Sequence, residues 1–168
     1  ILGRSLLGHY AFNCQAPDIG NIELILRFGD DKQKIKFLEP LMSGEIRSCV
    51  GMVEPERPGS NPSWLETSAV KYKGYYVING RKWFTSSADG ATFCVLMAVT
   101  NPEAENKYKR ASMIIVPLDT KGVEIKRNIS VMGEKGAGFF SHAEIQYTNV
   151  KVPIENILQN EGDGFRLA

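Results

Sequence analysis

Thr67-Ser68-Ala69-Val70-Lys71-Tyr72-Lys73-Gly74-Tyr75-Tyr76-Val77-Ile78-Asn79-Gly80-Arg81-Lys82-Trp83-Phe84-Thr85 is the stretch that decides the fold. It is rich in β-branched and aromatic residues and punctuated by glycine dipeptides, which is strand and turn composition. It reads as strands over Thr67–Tyr72, Tyr75–Ile78 and Lys82–Thr85, with Asn79-Gly80 as a two-residue hairpin turn between the last two. Working outward, Phe93–Val99, Ala111–Val116, Val123–Lys126 and His142–Tyr147 supply four more strands, and Asn101–Lys109 reads as a long surface loop. Seven short strands without intervening helices imply an antiparallel barrel or sandwich.

Before about residue 46 the texture is helical, set by apolar spacing near the α period. Ile22, Ile25 and Leu26 share a face after Pro17-Asp18, and Gly29 is placed to end that helix. A second helix starts at Asp30 or Asp31, with Ile35, Leu38, Leu41 and Met42 as its apolar stripe. Pro40 should kink or restart it, and Ser43-Gly44 should stop it. Residues 1–13 read as the tail of another helix, and Gly162-Asp163-Gly164-Phe165 as entry into one more. The chain is therefore an α+β chain. An antiparallel β-barrel or sandwich middle domain over 47–158 is preceded by helices of an incomplete N-terminal helical domain over 1–46. Residues 159–168 begin a C-terminal helical domain.

Composition narrows the function. The 168 residues are 43% hydrophobic and 23% charged, with a net charge of +1, which argues against a broad nucleic-acid surface. Lys107, Lys109 and Arg110 read as a solvated loop. The longest apolar runs, such as Phe93–Val99, are too short for a transmembrane segment, and no signal peptide is seen. Cys14, Cys49 and Cys94 are odd in number and widely spaced, which fits a reduced compartment and neither a disulfide framework nor a zinc site. Asn128-Ile129-Ser130 matches a glycosylation acceptor by chance. His9 and His142, the only histidines, are too far apart in sequence to argue a metal site.

Two segments carry chemistry. Gly51-Met52-Val53-Glu54-Pro55 leads to Pro58-Gly59-Ser60-Asn61, and Lys82-Trp83-Phe84-Thr85-Ser86 follows downstream. Each sets apolar or aromatic side chains beside hydroxyls and Gly or Pro. That mixture suits a flat, partly polar ring such as a flavin: apolar groups cover a face while hydroxyls and backbone N–H groups meet the edge. Gly133-Glu134-Lys135-Gly136-Ala137-Gly138 invites a phosphate-loop reading but lacks the Gly-Lys-Ser/Thr ending and a following helix, so it reads as a flexible loop. Glu54 invites a reading as catalytic base. Trp83 should alternate to the face opposite Phe84, and Trp64 has no assigned role.

These segments resemble the acyl-CoA dehydrogenase family. So do Phe28-Gly29-Asp30-Asp31-Lys32-Gln33-Lys34 and Phe37–Ile46 upstream, and Val150–Asn156 and Glu161–Phe165 downstream. Phe12–Asp18 and the extra residue between Pro55 and Ser60 resemble the subgroup that in eukaryotes is often fused to a kinase-like phosphotransferase domain. The resemblance implies that Val50, Met52 and Val53 lie along the ring of FAD and that Ser60 reaches the cofactor or the acyl-CoA substrate near their phosphates. It also implies that Phe84 covers the ring, with Thr85 in the same cofactor-binding segment, and that the Ser86 hydroxyl lies near the flavin's reactive nitrogen.

Glu54 would be structural, with the general base supplied by the C-terminal helical domain, so these residues alone should not turn over substrate. The family usually has Thr where Val53 stands, and often an Arg near Lys135 that contacts the FAD of a neighbouring subunit. The implied reaction is α,β-dehydrogenation of an acyl-CoA to a trans-enoyl-CoA, with electrons passed to an electron-transfer flavoprotein. A homodimer or homotetramer is implied, in the cytoplasm of a prokaryote or the mitochondrion or peroxisome of a eukaryote. Acyl-CoA oxidases or flavin monooxygenases on the same scaffold, and a non-catalytic acyl-CoA-binding module, are the alternatives.

Overall fold

A computed structural model describes residues 2–5 and 7–168. A helical segment leads into a seven-stranded sheet. The helices are α1 (Gly8–Ala11), α2 (Asp18–Phe28), α3 (Asp31–Gln33) and α4 (Glu39–Ser43), with a π-helical turn at Lys34–Leu38 joining the last two. The strands are β1 (Ser48–Gly51), β2 (Ser68–Tyr72), β3 (Tyr75–Ser86), β4 (Phe93–Val99), β5 (Ala111–Pro117), β6 (Val123–Asn128) and β7 (His142–Pro153), and α5 (Gly164–Leu167) follows. The sheet runs β1-β4-β2-β3-β7-β6, and β5 pairs the other edge of β4. The α+β class and the β-rich middle domain match the sequence reading. The sheet is not wholly antiparallel, however: β1 runs parallel to β4, with Cys49 beside Cys94.

The sheet has a core on each face, and β4 serves both. Cys94, Leu96 and Ala98 point into one with Tyr76, Ile78, Ile114, Ile145 and Tyr147. Phe93, Val95, Met97 and Val99 point into the other, where Ile25, Phe37, Leu38 and Leu41 close over them from the helices. A strand buried on both sides must be apolar at every position, and all seven residues of β4 are buried.

The helices dock in a phase the sequence does not show. On α2 the buried residues are Asp18, Asn21 and Ile25, while Leu26 is exposed. The polar pair grips β1: Asp18 accepts from the Ser48 N–H at 2.8 Å and hydroxyl at 2.7 Å, and Asn21 donates to the Ser48 hydroxyl at 2.8 Å. In the next segment Phe37, Leu38 and Leu41 are buried but Ile35 and Met42 are exposed. The π turn causes this, since its wider repeat rotates the stripe away from a straight α register. It ends where the Glu39 N–H donates to the Lys34 carbonyl, directly before Pro40, which has no N–H to give. The helix start at Asp30 and the stop at Gly44 are both as expected, and Asp30 caps α3 in a reciprocal capping box with Gln33.

The hairpin expected at Asn79-Gly80 does not form. The chain turns at Lys73-Gly74, where φ is 48° and 84°, which two-residue hairpins between twisted strands favour. β3 then runs unbroken through Asn79-Gly80 and pairs with β7 over its length. Asn79-Gly80 sits at a register shift: Ile78 pairs with Val150 and Gly80 with Tyr147, and Asn79 Oδ1 accepts from the Asn149 N–H at 2.8 Å. Gly80 has a φ of 151°, and a Cβ there would lie 2.5 Å from Thr67 Oγ1 and 2.7 Å from Thr67 Cα. Replacing Gly80 with Ala should therefore destabilise the protein by about 1–3 kcal/mol, read from urea unfolding; an unchanged midpoint would show that the Thr67 loop moves aside freely.

Candidate functional site

The site forms where the chain leaving β1 crosses the second half of β3. Lys82 points inward from β3 and is wholly buried, at 0% exposure. Its ammonium donates to the Met52 carbonyl at 2.9 Å and to Glu54 Oε1 at 2.9 Å. Glu54, 5% exposed, also accepts the N–H groups of Glu66 and Thr67, each at 2.7 Å. One carboxylate thus ties together the β1 exit, the loop before β2 and the middle of β3. Gly51 permits the close approach, because a Cβ there would lie 3.0 Å from Cys94 Sγ and 3.4 Å from Lys82 Cγ.

Burial pushes the Glu54 carboxyl up, but the Lys82 charge and the hydrogen bonds from Thr67 and Lys82 outweigh it and the net pKa is lowered. Burial lowers the Lys82 ammonium, opposed by its attraction to Glu54. A base working near neutral pH needs the opposite shift in its carboxyl and a free oxygen. Both Glu54 oxygens accept hydrogen bonds, so Glu54 is a strut.

The next residues of β3 form a bulge. Lys82 pairs with Ile145 and Thr85 with Ala143, so Trp83 and Phe84 together face Glu144. Phe84 has a φ of 47° and is 42% exposed. Trp83 does not alternate away from it: the two rings touch edge-on with centroids 4.9 Å apart. The Trp83 N–H donates to the Val53 carbonyl at 3.0 Å, which brings Val53 and the bulge together. Val53 is half-buried, and Gly59 packs on it so closely that a Cβ would lie 2.9 Å from Val53 Cγ1.

Hydrogen bonds to its backbone bring the Met52-Val53 segment against the strand that carries Phe84, from Lys82 to the Met52 carbonyl and from Trp83 to the Val53 carbonyl. The Met52 side chain packs partly on the helix-side core, and the exposed Ser60 is on the loop that covers Val53. Val50, half-buried like Met52 and Val53, lies within β1, paired with Val95. Thr85 is buried, and its hydroxyl has no partner among the described residues. Ser86 is half-buried, and its hydroxyl lies 2.9 Å from His142 Nδ1. The sequence reading left His142 without a role, because only the pairing of β3 with β7 sets it opposite Ser86. The residues fit a flavin ring in kind: an exposed aromatic ring on the bulge, apolar side chains on the segment bonded to it and a half-buried hydroxyl two residues on.

The Gly133–Gly138 loop presents the Gly138 N–H to Asp89 Oδ2 at 3.0 Å, so an internal carboxylate takes the place a phosphate would need. Lys135 is exposed. No cluster of metal-binding side chains and no helix long and apolar enough to cross a membrane occurs among the described residues.

Residues 49–150 match the family model for the acyl-CoA dehydrogenase middle domain. Acyl-CoA dehydrogenase family member 10 of Mus musculus is 42% identical over 171 residues, covering 100% of this chain and 16% of that protein. Family member 11 of Gallus gallus is 39% identical over 168 residues, covering 99% and 22%. A candidate acyl-CoA dehydrogenase structure from Mycobacterium abscessus superposes with a TM-score of 0.94 at 36% identity, covering 99% of this chain and 41% of its own. The chain thus spans about a fifth of the two vertebrate relatives. The family resemblance and the subgroup read from the sequence both hold.

The Lys82–Glu54 pair yields a prediction. Removing one partner leaves the other charge buried, so Lys82→Met or Glu54→Leu should each cost about 3–5 kcal/mol, while the double variant should recover part of the loss. The folded pKa of Glu54 lies below its unfolded value. Its contribution is therefore complete above the ordinary carboxylate pKa of about 4.3 and is lost as pH falls through the lowered folded value. Acid titration of stability in Glu54→Gln should show a shallower slope in that window, and an unaltered slope would refute the assignment.

Proposed function

The chain belongs to the acyl-CoA dehydrogenase family, and from that membership we propose that it forms the flavin- and thioester-contacting part of an FAD-dependent enzyme that desaturates acyl-CoA at the α,β position. The observation that carries the reading is the bulge at Trp83-Phe84, held against Val53 by a backbone hydrogen bond. Exposed Phe84 on that bulge, half-buried Val53 bonded to it through the backbone and the half-buried Ser86 two residues on support this reading. FAD, when bound, would supply the acceptor for the substrate's β-hydrogen and its electron pair.

The protein's own residues hold and orient. Phe84 covers one side of the ring, while Met52 and Val53 give an apolar edge and Ser86 a hydrogen-bonding group. Ser60, on its exposed loop, is free to meet phosphate oxygens of the cofactor or of CoA. The α-proton goes, on this reading, to a base outside these residues, which agrees with the commitment of Glu54 to Lys82 and two backbone N–H groups. An electron-transfer flavoprotein is the fitting electron acceptor, and a homodimer or homotetramer the fitting assembly.

Anaerobic visible spectra of the full-length protein, before and after a panel of acyl-CoA thioesters, test the reading. A bound flavin whose band bleaches with at least one thioester is expected. A flavin that none bleaches would indicate a different flavin reaction, and a protein that takes up no FAD would remove the reading. Val53 adds a finer prediction: Val53→Thr introduces a hydroxyl of similar shape and should tighten FAD binding by about 0.5–1.5 kcal/mol. Titration calorimetry with FAD measures this, and unchanged affinity together with an unchanged potential would contradict it.

A further inference from the structure

We propose, resting on the flavin-facing position of Ser86 above, that His142 is a positioning residue that sets the direction of the Ser86 hydroxyl and so biases the flavin between its oxidised and reduced forms. The two residues are register partners across β3 and β7, and Ser86 Oγ lies 2.9 Å from His142 Nδ1. The backbone around them is fixed. The Ile129 N–H donates to the His142 carbonyl at 2.8 Å, and the Ser87 N–H donates to the Ser141 carbonyl at 2.8 Å. The Ser87 hydroxyl donates to the Phe139 carbonyl at 2.9 Å. These bonds hold the backbone on both strands, so the register that sets the two side chains opposite each other is built into the fold.

The consequence follows from hydrogen-bond inventory. A serine hydroxyl has one hydrogen to give and two lone pairs to accept with. Where His142 Nδ1 is unprotonated, it takes the Ser86 hydrogen and leaves only lone pairs for anything else near the oxygen. Where Nδ1 carries the hydrogen, it donates to Ser86 Oγ and frees the hydroxyl hydrogen to point elsewhere. The reactive nitrogen of an oxidised flavin is an acceptor, and the same nitrogen in the reduced flavin carries a hydrogen. A hydroxyl directed by His142 therefore complements one redox form better than the other, whereas an undirected hydroxyl turns to suit both. Orienting a single polar group through a partner behind it is the usual way a protein tunes a bound centre.

The test is the midpoint potential of FAD in the full-length holoprotein, by anaerobic dye-linked titration, for wild type, Ser86→Ala, His142→Phe, His142→Asn and His142→Gln. Removing the partner should change the ratio of oxidised to reduced flavin affinity about tenfold, which for a two-electron couple is about 30 mV. His142→Asn keeps a hydrogen-bonding atom near the Nδ1 position and should stay close to wild type. His142→Gln carries its amide near the Nε2 position and should shift as the Phe variant does. In a Ser86→Ala background the His142 changes should add nothing.

Should Ser86→Ala shift the potential while His142→Phe and His142→Gln leave it at the wild-type value, the positioning role is wrong and the flavin-facing reading of Ser86 survives. Should Ser86→Ala itself leave the potential and the flavin spectrum untouched, Ser86 does not face the flavin and both fail. If the Phe variant does not fold, the Asn–Gln comparison alone decides: equal potentials in those two overturn the proposal.

Discussion

Three separated pieces of chain meet at one buried ammonium. Lys82 reaches the Met52 carbonyl and Glu54, and Glu54 reaches the backbone before β2. A lysine carried into the interior is tolerated only when its charge is matched and its hydrogen bonds are supplied. Satisfying Lys82 therefore fixes where the β1 exit, the loop at 65–67 and β3 lie relative to each other. Val53 is the residue between the two acceptors, so its position beside the bulge is a by-product of that requirement.

The same constraint separates structure from chemistry in this segment. The most conspicuous acid beside the site is consumed in holding it together, and the residues left facing outward are an aromatic ring, short aliphatic side chains and hydroxyls. Such a set can orient and cover a ring. On the proposed reading this segment contributes placement and preorganised hydrogen bonds.

How much of this could be read from the chain depends on the range of the interaction responsible. The fully apolar run of β4 and a helix start at Asp30 are local patterns, and both were legible, whereas the reciprocal bond from Gln33 was not read. Asn79-Gly80 looked like a turn because its backbone tolerance is local, but the choice between turn and bulge was made by pairing with β7, about seventy residues away. The exposed Leu26, Ile35 and Met42 were misplaced for a similar reason: the polar grip of Asp18 and Asn21 on Ser48 and the π turn at Lys34–Leu38 set the helix phase. At the candidate site, Phe84 and Ser86 were singled out through the resemblance, yet nothing in the sequence announced that Trp83 would share the bulge or that His142 would stand behind Ser86. The parallel pairing of β1 with β4 was likewise invisible, since strand direction leaves no mark on four residues.

The most direct measurement is a crystal structure of the full-length protein grown with FAD. The flavin ring is expected against Phe84 and Val53, with the Ser86 hydroxyl at its edge and the Lys82–Glu54 pair intact behind it. A flavin bound away from these residues, or a bulge at Trp83-Phe84 covered by protein alone, would contradict that placement.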